Sequence, residues 1–378
     1  MNEMLLSSSL SSSSSSIRSK AVKLFLLAAA STIPNTTTAG SIHLSTSTAT
    51  TTAFVRHNNV SKRDINSRNI KSVVQPQQRF QRTSAMATPA AMAASSSSSS
   101  SASPSPSPDS DSFLSSFLGY DGKVALVTGS TGGLGRAIAE TLLQAGCKTV
   151  VINGRDEEKT QQAADDIASS LNMNDDGVFA AAGDTSDPAA AKAIVDKINS
   201  KFGRLDILVN NAGINLPEGS FEKQYSQENW QKISRVNMEG PMNMSHEALK
   251  LIKKSSPSGR IINVSSMIGH VGDAQNPLYT MTKASMLMFT KSLAVDLARR
   301  PDSQHVTVNS ISPGIFETEM NTKFTSDEEA LKEVEQGIPM KRLGQPKELA
   351  GAVLYLASDA ASYTTGSDIL VDGGFVAV

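Results

Sequence analysis

The chain has 378 residues and a nearly balanced charge, 35 Lys and Arg against 36 Asp and Glu, for a formal net charge of −1. Its single cysteine, Cys147, excludes an internal disulfide and a thiolate-held metal, and the five histidines (His43, His57, His246, His270, His305) have no ligand-like spacing, so no metal site is expected. No apolar run reaches the roughly 18–20 residues a membrane-spanning helix needs, so no stable membrane insertion is expected.

That balance conceals two unlike segments. Residues 1–108 hold ten basic residues against two acidic ones, a net +8, and the remainder holds 25 against 34, a net −9. A mildly acidic body offers no footprint for nucleic acid. The basic, Ser/Thr/Ala-rich first part matches a transit segment. Within it Leu24–Ala30, after Arg18, Lys20 and Lys23, resembles the apolar region of a secretory signal, and Phe54 stands where a second cleavage point would place an aromatic. Together these suit a bipartite plastid leader; a mitochondrial leader and a plain disordered tail are the alternatives. Residues 1–94 are therefore assigned to a disordered targeting segment, residues 95–119 to a Ser/Pro-rich linker, and residues 120–378 to one folded domain.

In that domain the pattern alternates. Lys123–Thr128 is a short apolar run suited to a strand buried on both faces, followed by a glycine-rich turn and an amphipathic helix ending at Gly146. Thr149–Ile152 predicts a second strand, Asp156–Leu171 a helix, and Val178–Ala182 a third strand. Asp187 and Pro188 are an N-cap and a first-turn proline opening a helix to Phe202. Leu205–Val209 is a fourth strand ending in Asn210-Asn211-Ala212-Gly213. A long helix over Gln227–Lys254 precedes a fifth strand, Arg260–Val264, and a helix from Pro277 to Arg299. His305–Ile311 is a sixth strand, Ser326 with Glu329 a capping box, Pro346–Ala357 a helix and Asp368–Val371 a last strand. Strands alternating with helices over this length predict an α/β fold: a single doubly wound Rossmann-type domain on a mainly parallel sheet of about seven strands. A glycine-rich turn between a strand and a helix favours a dinucleotide, whose phosphates gain from the helix N-terminus.

Tyr279 and Lys283 are four residues apart on one helical face. A phenol beside an ammonium is a proton donor whose pKa the cation is expected to lower toward neutrality, and Ser266, at the exit of the fifth strand, would bond the same reacting oxygen.

These residues, in this order, resemble the short-chain dehydrogenase/reductase family from Gly122 to the C-terminus. The likeness rests on Thr128-Gly129-x-x-x-Gly133-x-Gly135, Asp184, Asn210-Asn211-Ala212-Gly213, Asn237, Ser266, Tyr279-x-x-x-Lys283 and Pro313-Gly314-x-x-x-Thr318. The resemblance implies that Tyr279 exchanges a proton with the substrate oxygen, Lys283 lowers its pKa and holds the nicotinamide ribose, Ser266 polarises the carbonyl, and Asn237 holds a water in a proton relay. It implies cofactor contacts from Gly129, Ser130, Gly133, Leu134 and Gly135 at the pyrophosphate. Asp184 would meet the adenine, Asn211 with Ala212 and Gly213 the adenosine ribose region, and Pro313, Gly314, Ile315 and Thr318 the nicotinamide. A homotetramer is implied as well.

After the second strand the acidic position that would accept the ribose 2′-OH falls on Gly154, and Arg155 follows. A guanidinium pairs with a phosphate, so NADP(H) is favoured; NAD(H) is possible if Arg155 is only a solvated charge and Asp156 turns inward. Specificity is expected in the Ser266–Tyr279 loop, where His270 either touches substrate or faces solvent, after Gly213, and in a lid over 315–340. Met238, Met242, Met244, Met267, Met281, Met286 and Met288 suggest a subunit interface or core before an adaptable pocket. The sharpest substrate candidate is a 3-oxoacyl group on an acyl-carrier protein, with Lys253, Lys254, Arg299 and Arg300 as basic groups for the carrier. Ser255-Ser256-Pro257-Ser258 departs from the basic residue such reductases carry there. The alternatives are a polyol, sugar-acid or other secondary-alcohol dehydrogenase, and a non-catalytic cofactor-binding scaffold or sensor.

Overall fold

The structure, a computed structural model, describes residues 117–173, 176–322 and 327–378. The targeting segment, nearly all of the linker and Ser326 lie outside the described residues.

Seven parallel strands form the sheet. β1 (Val124–Val127) leads to α1 (Gly133–Gln144), β2 (Thr149–Ile152) to α2 (Glu157–Ser170), and β3 (Val178–Ala180) to α3 (Pro188–Phe202). β4 (Ile207–Asn210) is followed by a one-turn α4 (Phe221–Gln224), α5 (Gln227–Ser234), a π-helical turn over Arg235–Glu239 and α6 (Gly240–Ser255). Then come β5 (Arg260–Val264), α7 (Pro277–Ala298), β6 (Thr307–Pro313), α8 (Glu328–Gly337), α9 (Pro346–Ala357) and β7 (Asp368–Val371). The spatial order is β3-β2-β1-β4-β5-β6-β7. The order reverses between β1 and β4, and a doubly wound sheet binds its ligand beyond the carboxyl ends of the strands at that point.

Two apolar layers hold the helices to the sheet. On one face Ile138 and Leu142 of α1, Ile167 of α2 and Leu349, Val353 and Leu356 of α9 pack on Val127, Ile152 and Val209. On the other, Ile194 and Ile198 of α3, Met244 and Leu251 of α6 and Ala294 and Leu297 of α7 pack on Leu126, Leu208, Ile261 and Val308. The apolar runs of β1, β2, β4, β5 and β6 follow from this double coverage, since neither face of these strands meets water, whereas β7 at the edge is partly exposed.

Two local expectations change. The helix expected over Gln227–Lys254 is interrupted at Arg235–Glu239, where the Gly240 N–H bonds the Arg235 carbonyl. Pro241 has no N–H to give the carbonyl four residues back, that of Asn237, so the winding widens there. The helix after the sixth strand is capped by Asp327 rather than Ser326: the Asp327 carboxylate accepts from the Glu329 and Ala330 N–H groups. An ionised carboxylate at a helix start meets both the orphan donors and the dipole.

Candidate active site

The turn after β1 and the segment after β4 are pressed together. A Cβ on Gly129 (φ +61°) would lie 2.8 Å from the Ala212 Cα, and one on Gly135 would lie 2.3 Å from the Gly129 carbonyl oxygen and 2.5 Å from Asn211 Nδ2. Asn211 makes that contact firm, its Nδ2 donating to the Thr128 and Gly129 carbonyls, both at 2.9 Å. Gly133 (φ +56°) differs, because a Cβ there would meet only Thr318, at 3.9 Å. It faces a gap that the chain after β6 bounds on the far side. The N-terminus of α1 carries no side-chain cap, so its backbone N–H groups and the positive end of its dipole are left for an anion. These features fit a dinucleotide pyrophosphate.

Ser130 does not line this cradle. It is fully buried, donates to the Val127 carbonyl at 2.7 Å and accepts from the Asn153 N–H at 3.0 Å, tying β1 to β2. A small polar residue at a buried turn is consumed by backbone groups that would otherwise go unpaired. Asn153, which the sequence did not single out, extends the tie to the Ala181 and Gly183 carbonyls. Leu134, in the first turn of α1, is partly buried and packs against the core. Asp184 holds the Ser186 N–H and hydroxyl at 2.9 and 2.8 Å, shaping the turn after β3.

At the end of β2 lies a recess of about 510 Å³ lined by Thr131, Gly154, Arg155, Asp156 and Lys159. A side chain at 154 would meet Thr131 Cγ2 at 2.6 Å and Thr160 Oγ1 at 2.7 Å, so an acidic residue has no room there. Asp156 is directed to the start of α2, accepting the Lys159 N–H at 2.9 Å. Two cations, Arg155 and Lys159, therefore face a recess whose one carboxylate is engaged in a cap. Lys159 went unread in the sequence, although it stands four residues after Arg155.

Ser266 lies two residues past β5 and caps a 3-10 turn, Met267–Gly269, accepting from the Ile268 N–H. Ser266 stands beside the Tyr279 phenol and favours its ionised form. Lys283 is 5 % exposed, donates to the Val264 carbonyl at 2.8 Å and lies 5.5 Å from the Tyr279 ring centroid. Asn237, in the π-helical turn, accepts from the Ile214 N–H at 2.8 Å and donates to the Ile214 carbonyl and Thr282 Oγ1. A Cβ on Gly213 would lie 3.4 Å from Asn237 Oδ1 and 3.5 Å from Lys283 Nζ, so the three residues enclose one small polar space. The sequence-predicted tetrad is thus brought to one place by β5, α7 and the helix that Pro241 widens.

The electrostatics correct one expectation. Burial pushes the Tyr279 phenol up to about 12, partly offset by the neighbouring Ser266, instead of toward neutrality. Burial also pushes Lys283 down to about 8. The ammonium sits over the ring and on a carbonyl, and desolvation outweighs it at the phenol. Near neutral pH the pair is therefore a protonated phenol beside an ammonium, the state that donates a proton to a developing alkoxide.

Beyond β6 the Gly314 N–H bonds the Val371 carbonyl, and a Cβ on Gly314 would lie 2.6 Å from the Asp372 Cα. Pro313 closes β6, and Ile315 packs with Leu331, Val334, Ile338, Leu343 and Phe375, binding the segment expected as a lid to the C-terminal turn. Of the methionines, Met244, Met267 and Met286 are buried, whereas Met242, Met281 and Met288 are exposed. Gln224 went unread in the sequence. It is buried, accepts the Leu278 N–H at 3.1 Å and donates to the Pro217 carbonyl. It thereby caps α7 from 54 residues away in sequence, one residue before Tyr279. No local pattern reveals a cap at that distance.

A Rossmann-type sheet, an uncapped helix N-terminus at its switch point and a Ser–Tyr–Lys cluster beside it define a dinucleotide-dependent oxidoreductase. Residues 129–376 match the family described as Enoyl-(Acyl carrier protein) reductase. A 3-oxoacyl-[acyl-carrier-protein] reductase of Aquifex aeolicus is 41% identical over 254 residues, 67% of this chain and 97% of that protein. Among solved structures, a gluconate 5-dehydrogenase from Burkholderia cenocepacia in complex with NADP and tartrate superimposes with a TM-score of 0.64 at 31% identity, covering 70% of this chain and 99% of the other. L-sorbose reductase from Gluconobacter frateurii, complexed with NADPH and L-sorbose, gives 0.63 at 30% identity, with 69% and 99% covered. The chain belongs to the short-chain dehydrogenase/reductase family. It is an NAD(P)-dependent oxidoreductase that interconverts a carbonyl and a secondary alcohol.

Proposed function

We propose that the chain is an NADPH-dependent carbonyl reductase whose substrate is a 3-oxoacyl group carried on an acyl-carrier protein. The observation that carries the cofactor choice is the recess where Arg155 and Lys159 replace an acidic side chain, a site for a ribose 2′-phosphate. The relative named for 3-oxoacyl reduction supports the substrate class, matched over 97% of its length. The dinucleotide, when bound, supplies the hydride. Tyr279 would donate its proton to the substrate oxygen, Ser266 would polarise the same oxygen, and Lys283 would stabilise the phenolate that remains. Asn237 would pass a proton inward from solvent by way of the space beside Gly213. Gly129, Gly133, Gly135, Asp184, Asn211, Ala212, Gly213, Pro313, Gly314, Ile315 and Thr318 would shape the cleft for the cofactor.

A second reading, a sugar-acid or polyol dehydrogenase, has its own support. Beside Tyr279, Asn215 donates to Asn276 at 3.2 Å and Asn276 to Asp273 at 2.9 Å, a polar chain suited to a hydroxylated substrate. The gluconate and sorbose enzymes are also close in fold. The basic groups offered to a carrier stand far from the site: α7 begins at Tyr279's end, and at 1.5 Å per residue Arg300 is roughly 30 Å away. Arg300 is paired with Asp296 and Lys253 with Asp302. A carrier docked there would serve a neighbouring subunit, which accords with a homotetramer in which the exposed Met242, Met281 and Met288 are covered. Residues 1–94 and 95–119 would be a plastid leader and linker ahead of the domain; mitochondrial import is the alternative destination.

Initial rates of the full chain with NADPH and NADH, against acetoacetyl-carrier protein and a panel of ketoses and keto-acids, test both points. Faster turnover of the acyl substrate with NADPH supports the proposal. Turnover of the sugar-derived ketones alone would establish the second reading, and no carbonyl turnover would leave a binding scaffold. Arg155→Ala and Lys159→Ala should each raise KM for NADPH about 10-fold, as loss of a charge-assisted contact implies, and leave NADH unchanged.

A further inference from the structure

His270 closes the turn that Ser266 opens, and its side chain leaves that turn for the far edge of the sheet. Its Nε2 lies 2.9 Å from Asp368 Oδ2 in β7 and 3.2 Å from Ser312 Oγ in β6. The other Asp368 oxygen accepts from Ser310 Oγ at 2.6 Å. A carboxylate only accepts, so Nε2 carries a hydrogen and donates it. Serine and aspartate share one ring nitrogen, whereas a nucleophilic triad needs them on opposite nitrogens, so this is no second hydrolytic centre. The Asp368 side chain is 11 % exposed and that of His270 27 %, so the carboxylate is largely covered while the imidazole stays in reach of water.

The same turn is held from its other side. A Cβ on Gly269 would lie 3.1 Å from the Lys283 carbonyl carbon and oxygen, and Ser265 Oγ donates to that carbonyl at 2.8 Å. The residues from Ser266 to His270 are thus pressed on the backbone of Lys283 by one contact and tethered to β7 by the other. A short turn with both flanks held has little freedom to rotate, and Ser266 is at its start.

The geometry points to His270 and Asp368 as a positioning pair that fixes Ser266 relative to Tyr279; this rests on the carbonyl-reductase reading of the site. Neither residue touches the reacting atoms. The pair sets where the Ser266 hydroxyl stands, and so how well the carbonyl oxygen is shared between serine and tyrosine.

The test uses the full chain and three variants: His270→Ala, His270→Asn, which restores a shorter donor, and Asp368→Asn, which keeps the shape and removes the charge. In His270→Ala, kcat/KM for the carbonyl substrate is expected to fall about 10- to 100-fold, the scale of a misplaced reacting group. The Kd for NADPH and the Tm should stay at their wild-type values. Amide hydrogen exchange should rise in residues 266–272 and not in the glycine-rich turn. His270→Asn should recover part of the rate, and Asp368→Asn should show the same pattern more weakly. Unchanged exchange in 266–272, or a loss spread evenly into NADPH binding and Tm, would overturn the pairing. If His270→Ala does not fold, Asp368→Asn decides by the same measurements. If the wild type reduces no carbonyl, the proposed function fails, while the exchange result still decides whether the pair holds the turn.

Discussion

Strand β5 joins two buried cations of opposite design. At its start Arg260, 1 % exposed, donates to the Ser358 carbonyl, the Gly259 carbonyl and Asp359. Asp359 also takes Lys123 at 2.8 Å and Ser258 at 3.0 Å. Beyond its end Lys283 has one acceptor among the described residues, the Val264 carbonyl. A guanidinium whose three nitrogens each find an acceptor is a fastener. An ammonium with one partner keeps unsatisfied donors and a lowered pKa, and so remains available for chemistry. The two ends of one strand separate what holds the sheet from what the sheet is for.

Substitution should exchange these behaviours. Lys283→Met is expected to lower kcat/KM by about 1000-fold, within the range for loss of acid–base machinery, without lowering Tm, because it removes an underpaired buried charge. Equal losses of Tm and rate would erase the distinction. Arg260→Met should do the reverse: about 2 kcal/mol of stability lost, less than a fully buried pair would cost because Asp359 is partly exposed and keeps Lys123, with kcat per folded molecule unchanged. Urea melts and active-site titration of the refolded fraction would measure both.

The pH profile sharpens the contrast. With Lys283 at about 8 and Tyr279 at about 12, the reductive kcat/KM should be flat near neutrality and fall above about pH 8, as the ammonium that stabilises the phenolate is lost. Lys283→Met should lack that limb, and Arg260→Met should keep it. A wild-type profile rising through pH 8 would mean that the tyrosine must ionise first. The smallest effect belongs to Gln224→Ala, expected to cost about 1 kcal/mol as the loss of a helix cap, with a several-fold fall in kcat read by steady-state rates.

Most of the sheet was legible because its inner strands are buried on both faces and read as apolar runs; β2, β5, α9 and the partly exposed β7 begin and end where the pattern does. Ser266, Tyr279 and Lys283 were legible because local elements set their places, whereas Asn237 entered only through the family resemblance. What could not be read depends on distance in sequence. Gln224 caps a helix from another loop, Ser130 is consumed by a neighbouring strand, and His270 reaches an aspartate 98 residues away. The direction of the Tyr279 shift was missed for a related reason: spacing gives the cation and not the desolvation that outweighs it.

The most direct measurement is NADPH oxidation by the full chain in the presence of acetoacetyl-carrier protein and the ketone panel, run beside Tyr279→Phe. The expected result is turnover by the wild type and none by the variant, which still binds NADPH with wild-type affinity. A Tyr279→Phe protein that reduces any of these carbonyls at the wild-type rate would contradict the assignment of this site.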